Sequence, residues 1–438
     1  MKVKGLVVSL FAVGMVASPL ANATNGYFSH GYGMKAKGMG GAATAMAIDA
    51  MGGANNPASM VWVGDRLDVG IDWFSPKRGA SRSGGGAAFT EESTNNNFFI
   101  PEFGYNHMMS PDMSLGVTVY GNGGMNTSYT QANSVAANQC GAGAPASNPL
   151  CFPSKLGINL EQLIIAPTWA YKLNETNSIG ISPLLGYQRF GANGLGAFAQ
   201  ISTAPASLTD NGYDSSTGWG ARFGWQGKVS DSVTLGAAYA TKMKMGKFSK
   251  YSGLFADQGS FDIPENFNLG VALKATDSTT IAVDYQRINY GKINSIANPS
   301  TQLGCTPTPP GGPGVGAGCL GGANGIGFGW SNINVFKVGV MHQYNDQLTV
   351  SVGYDHSDNP IQARDTTFNI IAPGVVQDHY TAGVTYAISK TSEITASYMH
   401  AMKKTVTGAP NAVYFNMGGT EEIHMYQNSL GIAYGMKF

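Results

Sequence analysis

The last fifteen residues, His424 to Phe438, alternate almost without error. One parity carries His424, Tyr426, Asn428, Leu430, Ile432, Tyr434, Met436 and Phe438, and the other Met425, Gln427, Ser429, Gly431, Ala433, Gly435 and Lys437. Successive side chains of a strand point to opposite faces, so one face becomes apolar and aromatic toward its end while the other stays small or polar. About nine to eleven tilted residues suffice for a strand to cross a bilayer, and this stretch is longer. The competing reading, an edge strand of a soluble β-protein, must be weighed against the rest of the chain.

The opposite end argues for export. Lys2 and Lys4 precede an apolar run from Gly5 to Ala17, and Ala21-Asn22-Ala23 supplies small residues where a signal peptidase reads. Residues 1–23 are therefore expected to be a signal peptide, with Thr24 as the mature start. No later stretch approaches the apolar length of a membrane helix, so a membrane location requires a closed barrel, in which every backbone hydrogen bond is satisfied internally. A terminal Phe closing the last strand resembles the assembly signal of bacterial outer-membrane barrels, which gives Phe438 a role in recognition by the barrel-assembly machinery.

Composition fits a barrel. Charged residues are 12% of the 438, about half the usual share, while glycines number 60. Mean hydropathy is -0.07, as expected when an apolar lipid-facing half cancels a polar inner half. With 26 basic and 26 acidic side chains there is no net charge to recruit nucleic acid. The four cysteines fall into two local pairs, Cys140 with Cys151 and Cys305 with Cys319, each in a Pro/Gly/Ala-rich stretch. In an oxidising compartment two loop-closing disulfides are expected, paired by proximity in preference to the two other connectivities. Neither pair has the Cys-x-x-Cys spacing or a nearby His that metal binding would need.

From Arg66 onward fourteen segments show strand-like alternation, from Arg66–Arg78 through Met113–Thr127 and Val233–Met245 to His424–Phe438. Short links such as Ser110-Pro111-Asp112 and Ser230-Asp231-Ser232 alternate with long Gly, Ser, Asn and Pro stretches. Tight turns on one side and long loops on the other define an outer-membrane barrel with its loops, and both cysteine pairs, outside the cell. The fold class is thus all-β, a fourteen-stranded antiparallel transmembrane barrel spanning residues 66–438. Parity points Asp68, Asp72, Arg222, Asp284 and Lys337 inward, and extends Thr234, Gly236, Ala238 and Ala240 to Lys242 and Lys244. Such charges serve as salt-bridge partners in the lumen or as ligand contacts.

Residues 24–65 do not read as barrel strand. They include Gly38-Met39-Gly40-Gly41-Ala42 and Asn56-Pro57-Ala58, followed by Val63-Gly64-Asp65-Arg66-Leu67-Asp68-Val69-Gly70 leading into the first strand. A Gly/Ala/Met piece of about forty residues is too small for a free domain, but folded inside a barrel it would stop the pore. These residues, Phe261-Asp262-Ile263-Pro264-Glu265-Asn266, the strand count and the terminal Phe together resemble the FadL/TodX family of outer-membrane transporters for long-chain fatty acids and other hydrophobic compounds. The resemblance implies that residues 24–65 are an N-terminal hatch plugging the lumen. It also implies a kinked third strand that opens a lateral gap toward lipid. Gly121, Gly123 and Gly124 interrupt the alternation of the third segment and mark the kink, and Asn56-Pro57-Ala58 is expected to hold a rigid turn against it.

Catalytic motifs are missing: there is no Gly-x-Ser-x-Gly, no His-Glu-x-x-His and no phosphate loop. The Gly-x-Gly-x-x-Gly at Gly316 to Gly321 lacks a preceding βα unit and encloses Cys319. The resemblance implies passive uptake of a hydrophobic small molecule, most of all a long-chain fatty acid, and the expectation is a monomer without cofactor or metal that works among outer-membrane lipids. Leu195, Phe198, Leu254 and Phe255 are candidates for an apolar groove among the loops, or equally for loop packing. Arg222, Lys242 and Lys244 are candidates to pair with a carboxylate head group. Uptake of aromatic or aliphatic hydrocarbons by the same route, which needs no cation, is the alternative. An outer-membrane lipid-modifying enzyme and a surface adhesin are the readings from other classes.

Overall fold

The computed structural model describes residues 24–131, 133–301, 304–308, 312–411 and 418–438, so the expected signal peptide lies outside the described residues. Among the described residues fourteen long strands run as β1 (Arg66–Ser83), β2 (Phe98–Ser110), β3 (Met113–Tyr129), β4 (Leu156–Lys172), β5 (Asn177–Asn193), β6 (Asp214–Lys228) and β7 (Val233–Ala240). They continue as β8 (Asn266–Thr276), β9 (Thr279–Ile288), β10 (Ile333–Gln343), β11 (Leu348–Ser357), β12 (Asp378–Ala387), β13 (Ser392–Gly408) and β14 (Thr420–Lys437). Each pairs antiparallel with its sequence neighbours, and β14 returns to β1 from Arg66↔Lys437 to Ser83↔Thr420, closing the barrel. Two short strands add to it: Phe89–Glu92 pairs with the loop end of β1, and Lys244–Met245 with β6. Among the described residues no helix is long and apolar enough to cross a membrane.

Period-two alternation explains the wall. Ile71, Trp73, Phe99, Leu185, Phe223, Phe336, Val352, Leu430 and Ile432 lie exposed on its outside. Toward the loop end, outward aromatic side chains bond their polar tips to side chains beside them. Trp73 Nε1 donates to Asn97 (3.0 Å), Tyr285 Oη to Asn334 (2.8 Å), Tyr354 Oη to Asp378 (2.5 Å) and Tyr398 Oη to Asn428 (2.8 Å). An apolar ring with a tethered polar tip suits the boundary between hydrocarbon and head groups. Phe438 stacks on Tyr105 with centroids 5.9 Å apart, and its N–H donates to Asp65 O, sealing the β14–β1 seam at the turn end. Phe438→Asp is expected to lower the amount of barrel in the outer membrane, measured by surface labelling and heat-modifiable gel mobility, without altering ligand preference.

The seventh segment differs from the sequence expectation. Strand β7 ends at Ala240, because Met243 turns inward to bridge Ile263, which shifts the alternation by one residue. Met243 and Met245 are consequently buried, and Lys244 is exposed. Disulfides join Cys140 to Cys151 and Cys305 to Cys319 in the long loops.

Residues 24–65 lie against the inner faces of the strands and are almost wholly buried. Inward charges of the wall hold their backbone. Asp284 accepts from the N–H groups of Ala43 and Thr44, both at 2.9 Å, and from Thr44 Oγ1 at 2.7 Å. Asp68 accepts from Ala50 N (2.8 Å), Lys337 donates to His30 O (2.7 Å), and Lys37 pairs with Asp72 (2.7 Å). Buried polar groups need such partners, so the wall charges and this segment fix one another.

Candidate functional site

The third strand carries the local irregularity that sets the site. Its ladder with β4 shifts register between Gly121 and Gly123, leaving Asn122 as an extra residue. Its ladder with β2 runs from Ser110↔Met113 to Phe103↔Val119 and goes no further. Beyond Val119, β3 instead meets the N-terminal segment: Phe28 bridges Gly123, Ser29 N donates to Asn122 O (3.3 Å) and Gly124 N to Tyr27 O (3.1 Å). Higher up the two sides are tied again, Thr94 N donating to Ser128 O (2.8 Å) and Ser128 N to Ser93 Oγ (3.0 Å). The result is a bounded opening in the β2–β3 hydrogen bonding, faced from inside by Tyr27 to Ser29.

Glycine is required at position 123, where a Cβ would collide with the carbonyl oxygen of Tyr27. Gly123→Val is expected to destabilise the seating of the N-terminal segment by about 1–3 kcal/mol through overpacking. Hydrogen exchange should then accelerate in residues 24–33 while the barrel keeps its heat-modifiable mobility; unchanged protection there would show that the contact does not hold the segment.

Asn56-Pro57-Ala58 sits elsewhere than expected. It packs on the turn-end faces of β5 and β6, where a Cβ at Gly180 would lie 2.5 Å from the Pro57 carbonyl carbon. Asn56 caps the short helical turn Pro57–Trp62 by accepting from Ala58 N, and donates to Thr44 O (2.7 Å) and Trp225 O (2.9 Å). Its motif therefore anchors the segment to the wall away from the kink, and Tyr27 to Ser29 occupy the position expected for it.

Leu195, Phe198, Leu254 and Phe255, from two separate loops, converge on one apolar slot with Phe190, Phe328 and Phe368, whose free space is only about 30 Å³. An aromatic series leads inward from it. Phe255 lies 4.9 Å from Phe261, Phe261 lies 6.2 Å from Tyr27, and Tyr27 lies 5.2 Å from Tyr290, which meets Trp330 at 5.3 Å. The Tyr27 carbonyl is the one that rests at Gly123, so the series ends at the opening in the wall.

The cations expected to meet a head group are not gathered along this series. Arg222 is buried, but donates to the carbonyls of Gly53 (3.1 Å) and Ala54 and so clamps the N-terminal segment. Lys242 is exposed and pairs with Asp262 at 3.2 Å, and Lys244 is exposed too after the register change. A cation that sequence reading passed over, Arg78, lies buried beside the opening, although the parity of Asp68 and Asp72 on the same strand points it inward too. Within the N-terminal segment, burial and then the neighbouring Asp68 raise Asp49 to about 7. Burial and then Lys37 push His30 down to about 3, so it is neutral.

A closed fourteen-stranded barrel with an apolar outer face and, among the described residues, no spanning helix defines an outer-membrane channel. The profile of the outer membrane protein transport protein family (OMPP1/FadL/TodX) matches residues 16–438, and the chain belongs to that family, whose members are transport channels and not enzymes. No curated protein sequence matches it. Among solved structures, the toluene transporter TodX of P. putida is 18% identical, with 93% of this chain and 99% of that chain covered at a TM-score of 0.68. A FadL homologue of Pseudomonas aeruginosa is 13% identical, with 96% and 100% covered at 0.67. The toluene transporter TbuX of Ralstonia pickettii is 16% identical, with 93% and 99% covered at 0.62. At these identities the likeness establishes the fold, and the ligand must be argued from this chain.

Proposed function

We propose that this outer-membrane transporter takes up long-chain fatty acids passively, capturing the chain in the loop slot and releasing it sideways into lipid between β2 and β3. The observation that carries this reading is the aromatic series from Phe255 to Tyr27, which ends at the gap in the β2–β3 ladder. Each methylene buried there is worth about 0.8 kcal/mol, enough to draw an alkyl chain out of water without an energy source. Residues 24–65 act as the hatch, and Tyr27 to Ser29 must move for ligand to pass. The protein works as a monomer, delivered to the membrane by the barrel-assembly machinery through its Phe438 signal.

Uptake of hydrocarbons is the second reading. It is favoured by the engagement of Arg222 with the hatch and the outward placement of Lys244, and TodX and TbuX are described as toluene transporters. The deciding measurement is mass spectrometry of compounds extracted with the purified protein, together with uptake of labelled oleate and toluene by cells that depend on it. Oleate carried well above background supports the first reading; toluene alone would replace it with the second, and neither would remove both.

A further inference from the structure

Buried cations of this barrel are, as a rule, matched to carboxylates. Lys37 pairs with Asp72, Arg66 with Asp68, Arg82 with Glu421 and Lys337 with Asp355. Arg78 and Arg222 break the rule. Arg78 is 3% exposed, and among the described residues its guanidinium has no carboxylate partner. Nη1 donates to Asn126 O on β3 and Nη2 to Asn95 O just before β2, so the group spans the two sides of the opening. Its plane lies over Phe98, 5.7 Å from the ring centroid, and Nε has no acceptor. A void of about 10 Å³ adjoins it, lined also by Met125, Gly374, Met425 and Trp330, the last of which lies 6.1 Å from Tyr27 of the aromatic series.

Desolvating a guanidinium without a counter-ion is costly, and carbonyl oxygens offset that cost less well than a carboxylate does. A planar cation with an unoccupied Nε–H edge, placed between an aromatic interior and an opening in the wall, is complementary to one carboxylate at the end of an apolar chain. An aliphatic hydrocarbon gains nothing from it. We infer that Arg78 is a specificity-determining latch of the β2–β3 opening: it ties Asn95 to Asn126 and reads the carboxylate of an amphiphilic ligand that reaches the opening. This rests on the proposal that ligand leaves between β2 and β3, and it names the head group, which that proposal leaves unexplained. Arg222, whose Nε likewise has no acceptor, differs in that its guanidinium donates to Gly53 and Ala54 of the hatch rather than across the opening.

The test compares uptake of labelled oleate with that of methyl oleate, its neutral ester, by cells carrying the full-length protein, with barrel assembly checked by heat-modifiable mobility. Arg78→Met is expected to lower oleate uptake about tenfold or more, the worth of a charge-assisted hydrogen bond, and to leave methyl oleate uptake undiminished. Arg78→Lys, which keeps the charge but not the planar fork, should lose less oleate uptake than Arg78→Met and serves as the test should the methionine variant fail to assemble. An equal fall for acid and ester, or no change in either, would overturn the inference by reducing Arg78 to wall structure or removing it from the path. Wild-type cells that take up the ester but not the acid would overturn it while leaving hydrophobic uptake intact. Wild-type uptake of neither would bring down the uptake proposal as well.

Discussion

Joining Ser29→Cys to Asn122→Cys should bring uptake down to the background of cells without the protein. The two positions follow the Phe28↔Gly123 bridge, and Ser29 N already donates to Asn122 O, so a disulfide there clamps the hatch onto the kink. Ligand at the end of the aromatic series would then find the opening permanently faced by backbone. Reductant should restore transport, with each single-cysteine variant treated alike to account for the two native loop disulfides. Wild-type uptake by a fully crosslinked protein would mean that Tyr27 to Ser29 need not move, and release between β2 and β3 would have to be abandoned.

Lys37→Met should loosen the hatch more than other single changes in it. Lys37 and Asp72 are both nearly inaccessible and 2.7 Å apart, with Glu102 a further 3.8 Å from the ammonium. Removing the cation strands two buried carboxylates, and breaking such a pair from one side costs about 3–5 kcal/mol. Strand pairing does not depend on that contact, so the loss should fall on residues 24–65. Limited proteolysis ought to cut the variant within that segment under conditions where the wild type is resistant, and the barrel should still migrate as a folded species. A segment as resistant as the wild type's would show that the inward charges are not what hold it.

The wall was legible because its signal is local. Period-two alternation, tight turns and loop composition act residue by residue, and the Gly121, Gly123, Gly124 cluster marked the register shift because glycine leaves a recognisable gap in a strand. Met243 was not legible: nothing in Val233 to Met245 announces that Ile263, twenty residues on, pulls the chain inward and reverses the face of Lys244. Asn56-Pro57-Ala58 failed for a related reason. Proline fixes the shape of the turn, but which glycines of the wall leave room for it depends on how fourteen strands are arranged around the lumen. The four groove residues were chosen for being apolar and in loops, and their convergence on one slot reflects loop packing that spacing does not encode. Arg78 could have been found by extending the parity of β1 by three more pairs of residues.

Because the β2–β3 rungs break and then resume at Thr94 and Ser128, the opening is a porthole in an intact hoop rather than a torn seam. Tyr27 and Ser29 supply hydrogen bonds to its backbone, at Gly124 N and Asn122 O. An alkyl chain passing through offers no hydrogen bonds, so the Gly124 N–H that donates to Tyr27 O would be orphaned next to lipid, where such groups are expensive. On the proposed route, an excursion of the hatch would therefore build its own restoring force. On the proposed lateral route the hatch would act as a spring-loaded valve, the opening resealing by restoring these contacts once ligand has passed.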